Sequence, residues 1–285
     1  MRRIWITAVI DNDDKYAYLG STTGDIVAID IQNYYLKHFG PVKDKYILQA
    51  DITANDSPLS RTLLPLYQSN TDVTFMYNDE IPPKTHTDNQ ANNYGHTKGV
   101  IGYAQDEGFW LIHSCPKFPP TPLQQYSYPY SGQEMGQSFL CLTLDSQNLN
   151  QVGILQQFNH PLRYVHRITT SASSVMPDLA DAMNDSFVRK KDNSTFTILD
   201  LNTRNNMRFR GYAKTENFGK ELQGQLIAPD IGEDMEWQTW LQSPEDPYCP
   251  SQQSKQVYSI LNISAPFDPN TYNTQSQKKE CNQFR

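Results

Sequence analysis

The sequence is short of whatever marks a chain for the membrane, for coating nucleic acid or for structural zinc. No apolar run approaches the roughly 20 residues that cross a bilayer as a helix, and mean hydropathy is −0.65. Positive charge is in deficit, with 24 Lys and Arg against 31 Asp and Glu and a net charge of −7. That is the wrong sign for a protein that coats a polyanion, whose footprint is basic, although the charge lining one cleft can differ from the total. Cysteine is scarce, four in 285 residues, and no two stand at Cys-x-x-Cys spacing, so zinc is not expected. The even set Cys115, Cys141, Cys249 and Cys281 suits two disulfides in an oxidising compartment. Sequence-local pairing joins Cys115 to Cys141 and Cys249 to Cys281, one of three connectivities, with buried free thiols as the alternative. There is no exact internal repeat and no low-complexity tract. Met1-Arg2-Arg3 before an apolar stretch has the outline of a leader but no small-residue cleavage site, and a strand over Arg3–Ile10 is expected instead.

What is present is the composition of a globular chain, 38% hydrophobic and 12% aromatic, long enough to bury a sizeable core. Strands are expected at Asp25–Ile31, Thr71–Tyr77 (half-buried by its alternation), Ser138–Leu144, Thr195–Leu201, Met207–Ala213, around Met235–Leu241 and at Gln256–Ile263. Asp145 is placed to cap a helix carrying Leu149, Val152, Leu155 and Phe158 on one face. A Pro-initiated helix should run from Pro177 to Phe187, and Phe218, Leu222 and Leu226 mark another. Pro116–Tyr130, dense in proline and tyrosine, reads as an extended surface segment. Strand pairs alternating with helices imply an α/β chain, a mixed sheet with helices packed on it.

The chemistry concentrates between Tyr94 and Leu144. Two short apolar runs, Val100–Tyr103 and Phe109–Ser114, flank the turn-prone Gln105-Asp106-Glu107-Gly108, a hairpin signal. His96 and Lys98 open the first strand and His113 closes the second, so antiparallel pairing brings all three toward the mouth. Two imidazoles and an ammonium suit an anion, phosphate above all, through charge-assisted hydrogen bonds. Sequons at Asn55, Asn184, Asn193 and Asn262 permit glycosylation.

These residues carry a resemblance. His96-Thr97-Lys98-Gly99-Val100, then Gly108-Phe109-Trp110-Leu111-Ile112-His113-Ser114, then Gly136-Gln137 with Leu140-Cys141 are similar to the deoxyribonuclease II family in motif and order. Upstream, Leu64-Pro65-Leu66-Tyr67 and Tyr77-Asn78-Asp79 fit the same pattern. So do Ala213-Lys214, Phe218-Gly219 and Val257–Asn262 downstream, and the likeness covers roughly residues 60–265. It implies a phospholipase D-like fold over 1–285, two pseudo-symmetric halves near 1–160 and 161–285, and a metal-independent acid endonuclease without cofactor. In such a site one imidazole attacks phosphorus, another protonates the leaving oxygen, and lysines stabilise the phosphoryl charge. His96 and Lys98 fall on the first His-Lys motif, and His113 on a further functional histidine.

The departures from the family pattern shape the expected function. Gln277 and Lys279 occupy the second motif, and an amide there neither titrates near neutrality nor supplies a proton. Ala104 stands where the family carries an aspartate. The expectation is therefore a secreted glycoprotein resembling the motif-degenerate nematode members of the family, with hydrolysis lost or impaired and retained for binding. DNA or another phosphodiester is the ligand expected, and a host protein or a second copy are further partners it allows. The alternatives are an active acid nuclease using His96 with His113 as helper, and a lysosomal location.

Overall fold

The computed structural model describes residues 52–189 (without 69, 84, 86–93, 135, 136 and 138), 193–237 (without 205 and 207) and 255–264. It gives the backbone alone at 8–9, 16–20, 26–30, 47–49, 58, 134, 236–237, 258–264 and 275–279. Its contacts divide the chain into two compact units, Met1–Asn217 and Phe218–Arg285. The expected pseudo-symmetric halves concern internal likeness, and the compact units do not bear on them.

The first unit is built on a six-stranded sheet in the order β1 (Ala8–Val9), β8 (Phe139–Leu144), β7 (Glu107–His113), β6 (Lys98–Ala104), β5 (Val73–Asn78), β9 (Arg163–Ile168). All its ladders are antiparallel except β1 on β8. Two smaller sheets accompany it: β2 (Tyr16–Gly20), β3 (Ile26–Asp30) and β4 (Ile47–Gln49) form a meander, and β10 (Phe196–Asn202) pairs with β11 (Arg208–Lys214). The strand expected at Asp25–Ile31 and the β10–β11 pair are thus found. Mixed α/β architecture is the fold class of the chain.

Both faces of the large sheet are covered. On one, α3 (Ser146–Asn159) lays Leu149, Val152 and Leu155 against Phe75, Tyr77, Ile101 and Leu142. Each such aliphatic side chain contributes about 1.5–3 kcal/mol on burial. Asp145 caps that helix by accepting from the Asn148 amide at 2.8 Å, worth about 1 kcal/mol. α4 (Thr170–Val175) and α5 (Pro177–Met183) complete this layer. Gly153 lets α3 and α5 touch, since a Cβ there would lie 2.3 Å from the Leu179 nitrogen. On the other face, α1 (Pro58–Tyr67) buries Leu59, Leu63 and Leu66 over Met76, Val100 and Leu111.

The Pro-rich segment 116–129, which leads into the short helix α2 (Tyr130–Glu134), finishes that second face, and its mode of attachment follows from proline chemistry. A stretch that cannot form a ladder leaves carbonyls without partners. Side chains supply the donors: Tyr164 Oη to Pro119 O at 2.7 Å, Tyr67 Oη to Pro120 O at 2.8 Å, and Asn78 Nδ2 to Phe118 O at 2.9 Å. Phe118 and Tyr128 then pack into the core beneath.

Several local expectations are corrected. β5 is buried along its whole length, not on alternate residues, because helices on one side and α1 on the other cover it. The β6–β7 turn is a two-residue loop, since Ala104 pairs with Glu107 and only Gln105 and Asp106 lie outside the ladder, both at positive φ (51° and 68°). Such a turn matches the twist of its strands. α5 ends at Met183, so Phe187 lies beyond it. Phe218 to Leu226 is not one helix: a 3₁₀ turn at Glu216–Phe218 is stopped by Gly219 at φ 64°, and a π turn, Gln223–Ile227, leads into α6 (Ala228–Ile231).

The Cys115–Cys141 disulfide is also corrected. Cys115 is a buried free thiol, and burial pushes it up to about 12. Cys141 pairs with Leu111 across β7 and β8, whereas Cys115 lies two residues past the end of β7 at His113. Cys249 and Cys281 lie outside the described residues.

In the second unit β12 (Met235–Trp237), β13 (Val257–Ser264) and β14 (Gln275–Lys279) form a sheet, with β14 antiparallel to β13. Both expected strands, around Met235 and at Gln256–Ile263, are present.

Candidate active site

The register of the large sheet sets one row of side chains across four strands at the hairpin mouth. Asn78 pairs with Lys98, Lys98 lies opposite His113 by the continuation of the Gly99–Ile112 register, and His113 pairs with Phe139. All belong to the face covered by α1 and the Pro-rich segment, because side chains alternate along each strand. Three members of this row are polar and all three are buried. A buried polar group costs free energy unless it is bonded, so their partners show how the mouth is built.

Asn78 is fully bonded. Its Nδ2 donates to Cys115 O at 3.0 Å and Phe118 O at 2.9 Å, and its Oδ1 accepts from the Glu80 amide at 2.9 Å. The chain leaving β5 is thereby fixed, and the next residue, Asp79, is held at the mouth. One Asp79 oxygen meets the Lys98 ammonium. The other lies 2.6 Å from His96 Nδ1. Lys98 is 5% exposed and Asp79 13%, whereas the His96 side chain is 86% exposed. Asp79 was not singled out from the sequence, although it sits in the Tyr77-Asn78-Asp79 motif; a carboxylate directly after a buried strand was the available signal.

The arrangement has a chemical sense. A carboxylate only accepts, so in the neutral form His96 carries its proton on Nδ1 and its lone pair on Nε2, on a ring open to solvent. That is the tautomer a nucleophilic imidazole needs. Lys98 brings a fixed positive charge to the same carboxylate, the type of group that stabilises phosphoryl oxygens. Ala104 ends β6 at the turn, six residues and about 20 Å from Lys98, so a carboxylate at that position would not reach the His96 ring. Among the described residues no three His, Cys, Asp or Glu side chains converge as a metal-ion site, and no helix is long and apolar enough to cross a membrane.

His113 differs from His96 in every respect. It is buried between Phe118 and Phe139, with ring centroids at 5.6 and 5.7 Å. Neither ring nitrogen makes a hydrogen bond of ordinary geometry among the described residues, a looser backbone contact at Cys115 apart. Burial, and secondarily the Lys98 charge, lowers its pKa to about 3. Gln277 and Lys279 lie on β14, Gln277 paired with Asn262 and Lys279 with Ser259; their side chains, like that of Asn262, are outside the described residues. Asn55, Asn184 and Asn193 are exposed. Trp110 is core, its Nε1 donating to Tyr77 Oη at 2.9 Å.

The last turn of α3 anchors the loop that carries His96. The Gly95 amide donates to His160 O at 2.9 Å, and Gly95 bridges to Pro161. A Cβ at Gly95 would stand 2.1 Å from Asn159 O, so the contact requires glycine.

Comparison with known proteins places this cluster in context. The deoxyribonuclease II family model matches residues 32–281. Deoxyribonuclease-2-alpha of Rattus norvegicus is 31% identical over 81% of this chain and 66% of its own length. The Sus scrofa protein of that name is 30% identical over 92% of this chain and 71% of its own. Deoxyribonuclease-2 of Caenorhabditis elegans is 31% identical over 68% and 57%. The chain thus spans between 57% and 71% of the length of these relatives. The matched span takes in Asp79, His96, Lys98 and His113, and the chain belongs to the deoxyribonuclease II family.

Proposed function

We propose that this is a secreted deoxyribonuclease II-like protein that binds a phosphodiester at Asp79, His96 and Lys98, and whose hydrolysis of DNA is lost or strongly impaired. The observation that carries the binding half is the Asp79 clamp, which presents an exposed imidazole beside a buried ammonium. Impairment rests on Gln277, which by family likeness stands where a second imidazole would protonate the leaving oxygen. An alkoxide is a poor leaving group without that proton, so attack by His96 would revert. Export, glycosylation at the exposed sequons and the pseudo-symmetric halves belong to the same proposal.

The second reading is an active acid nuclease in which His113 helps His96; the intact clamp favours it. Against it, an imidazole lowered to about 3 is neutral at pH 5, and its nitrogens are buried. His113 therefore serves the mouth by packing and not by giving up a proton.

Plasmid cleavage at about pH 5 in chelator separates the readings. The expected result is little or no cutting, a gain with Gln277→His, and relatively better turnover of a nitrophenyl phosphodiester, whose leaving group departs without a proton. Robust cutting of plasmid, abolished by His96→Ala, sinks the impairment proposal.

A further inference from the structure

Beside the clamp stands a run of aromatic rings that the proposed chemistry does not use. His160, in left-handed backbone at the end of α3 (φ 48°), stacks on Phe187 with centroids 3.6 Å apart and planes at 16°. Tyr94 packs on His160 at 4.6 Å. On Phe187 the Arg189 guanidinium lies 5.4 Å from the ring centre. His160 is held at its edge: Nε2 lies 3.5 Å from Asp185 Oδ1, and Arg163 Nη2 lies 2.9 Å from that same oxygen. Arg163 is fixed in turn by donating to Met183 O at 2.7 Å.

This organisation exceeds what a loop anchor needs. The backbone bond and bridge at Gly95 already fasten the loop. Tyr94 is half-buried and Arg189 exposed, so the stack reaches solvent. Tyr94 is two residues from His96, so their Cα atoms are at most about 7 Å apart, a separation comparable to the span of one nucleotide. A ring fixed from beneath offers a flat π-face at little entropic cost, and bases stack on such faces with little regard to sequence.

We propose that Tyr94, supported by His160 and Phe187, is a stacking platform for the nucleobase adjoining the phosphate bound at His96. The ligand class is therefore a nucleotide strand with an accessible base, and not a phosphodiester in general. This deepens the phosphodiester reading and depends on it.

The test is equilibrium binding of two labelled oligomers of equal length and charge, a single-stranded oligodeoxynucleotide and its fully abasic counterpart, at pH 5 in chelator. The expected result is about tenfold tighter binding of the base-bearing strand. Tyr94→Ala and Tyr94→Leu remove that preference while leaving the abasic affinity unchanged, and Tyr94→Phe keeps it. Tyr94→Leu preserves apolar packing on His160, and unfolding curves identify any variant that has lost its fold. Equal affinity of wild type for the two strands overturns the platform alone. So does a Tyr94→Leu variant that weakens both strands equally, for then the ring only supports the loop. Failure of both strands to bind wild type overturns the platform together with the phosphodiester reading beneath it.

Discussion

The two ends of the β6–β7 hairpin both carry ion pairs, and those of the mouth and of the turn are opposites. At the mouth, Lys98 and Asp79 are nearly buried, and the carboxylate is shared with His96. At the turn, Arg204 Nε and Glu107 Oε2 stand 3.7 Å apart with both side chains about half exposed. Water screens the second pair, so the attraction between its partners is largely offset by the entropy of holding them. At the first, two groups have been taken out of water, and the cost is recovered only while all partners stay in place. The same strands thus tolerate loss at one end and not at the other. Stability alone does not require a buried ammonium there, since an apolar side chain would fill the space at less cost; the proposed phosphodiester binding gives the charge a use.

Removing a partner at the mouth is the strongest way to sharpen this contrast. Asp79→Ala leaves Lys98 buried and unpaired and should lower unfolding free energy by about 3–5 kcal/mol. Replacing both residues, Asp79→Leu with Lys98→Met, should restore most of that loss while still abolishing phosphodiester binding. Denaturant unfolding of the single and double variants measures both; a single-variant cost under about 1 kcal/mol would place the pair with the surface kind.

His113 supplies the next effect, and its sign is opposite to that of a salt-bridged histidine. Its folded pKa is lowered from 6.5 to about 3. Above 6.5 both folded and unfolded states hold it neutral, so its contribution is fully present. As pH falls below 6.5 the unfolded chain takes up a proton that the folded chain refuses, and stability declines until about pH 3. Between pH 7 and pH 5 that is about 2 kcal/mol. His113→Phe, which fits among Phe118 and Phe139, should flatten the difference in stability between these two pH values by that amount. An unchanged slope would mean that the ring is not held neutral.

Much of this was legible in the chain. Asp145 as a cap, the Leu149–Val152–Leu155 face and the hairpin itself follow from local rules about oxygen acceptors, helical period and turn residues. The candidate site was legible in part: His96, Lys98 and His113 were brought to the mouth by symmetry about the turn. What local pattern does not contain is depth. Alternation in Thr71–Tyr77 looked half-exposed because nothing nearby in sequence says that α1 returns to cover the strand. Nor does sequence tell His96 from His113, one open to solvent and one sealed between two phenylalanines. Asp79 was hidden for a related reason: its partners are 17 and 19 residues ahead and meet it only through strand pairing. Phe187 read as a helix face because its spacing from Met183 is helical, while its ring goes to His160 instead.

The smallest effect tests the other end of the hairpin. Arg204 donates to the Asp106 carbonyl at 2.9 Å as well as facing Glu107, so its removal frees one solvent-accessible turn carbonyl and one exposed carboxylate. Water replaces both partners, and neither Gln105 nor Asp106 needs the arginine to hold its backbone, because the ladder from Ala104 and Glu107 inward sets the turn. Glu107→Ala should change stability by less than about 0.5 kcal/mol, and Arg204→Ala by little more. Raising salt should leave both differences near zero, whereas the Asp79→Ala cost should persist, since a buried pair is screened far less. Arg204→Ala matching Asp79→Ala in magnitude would break the comparison: burial would then not be what distinguishes the two pairs, and the mouth would lose the physical argument that marks it as built for a ligand.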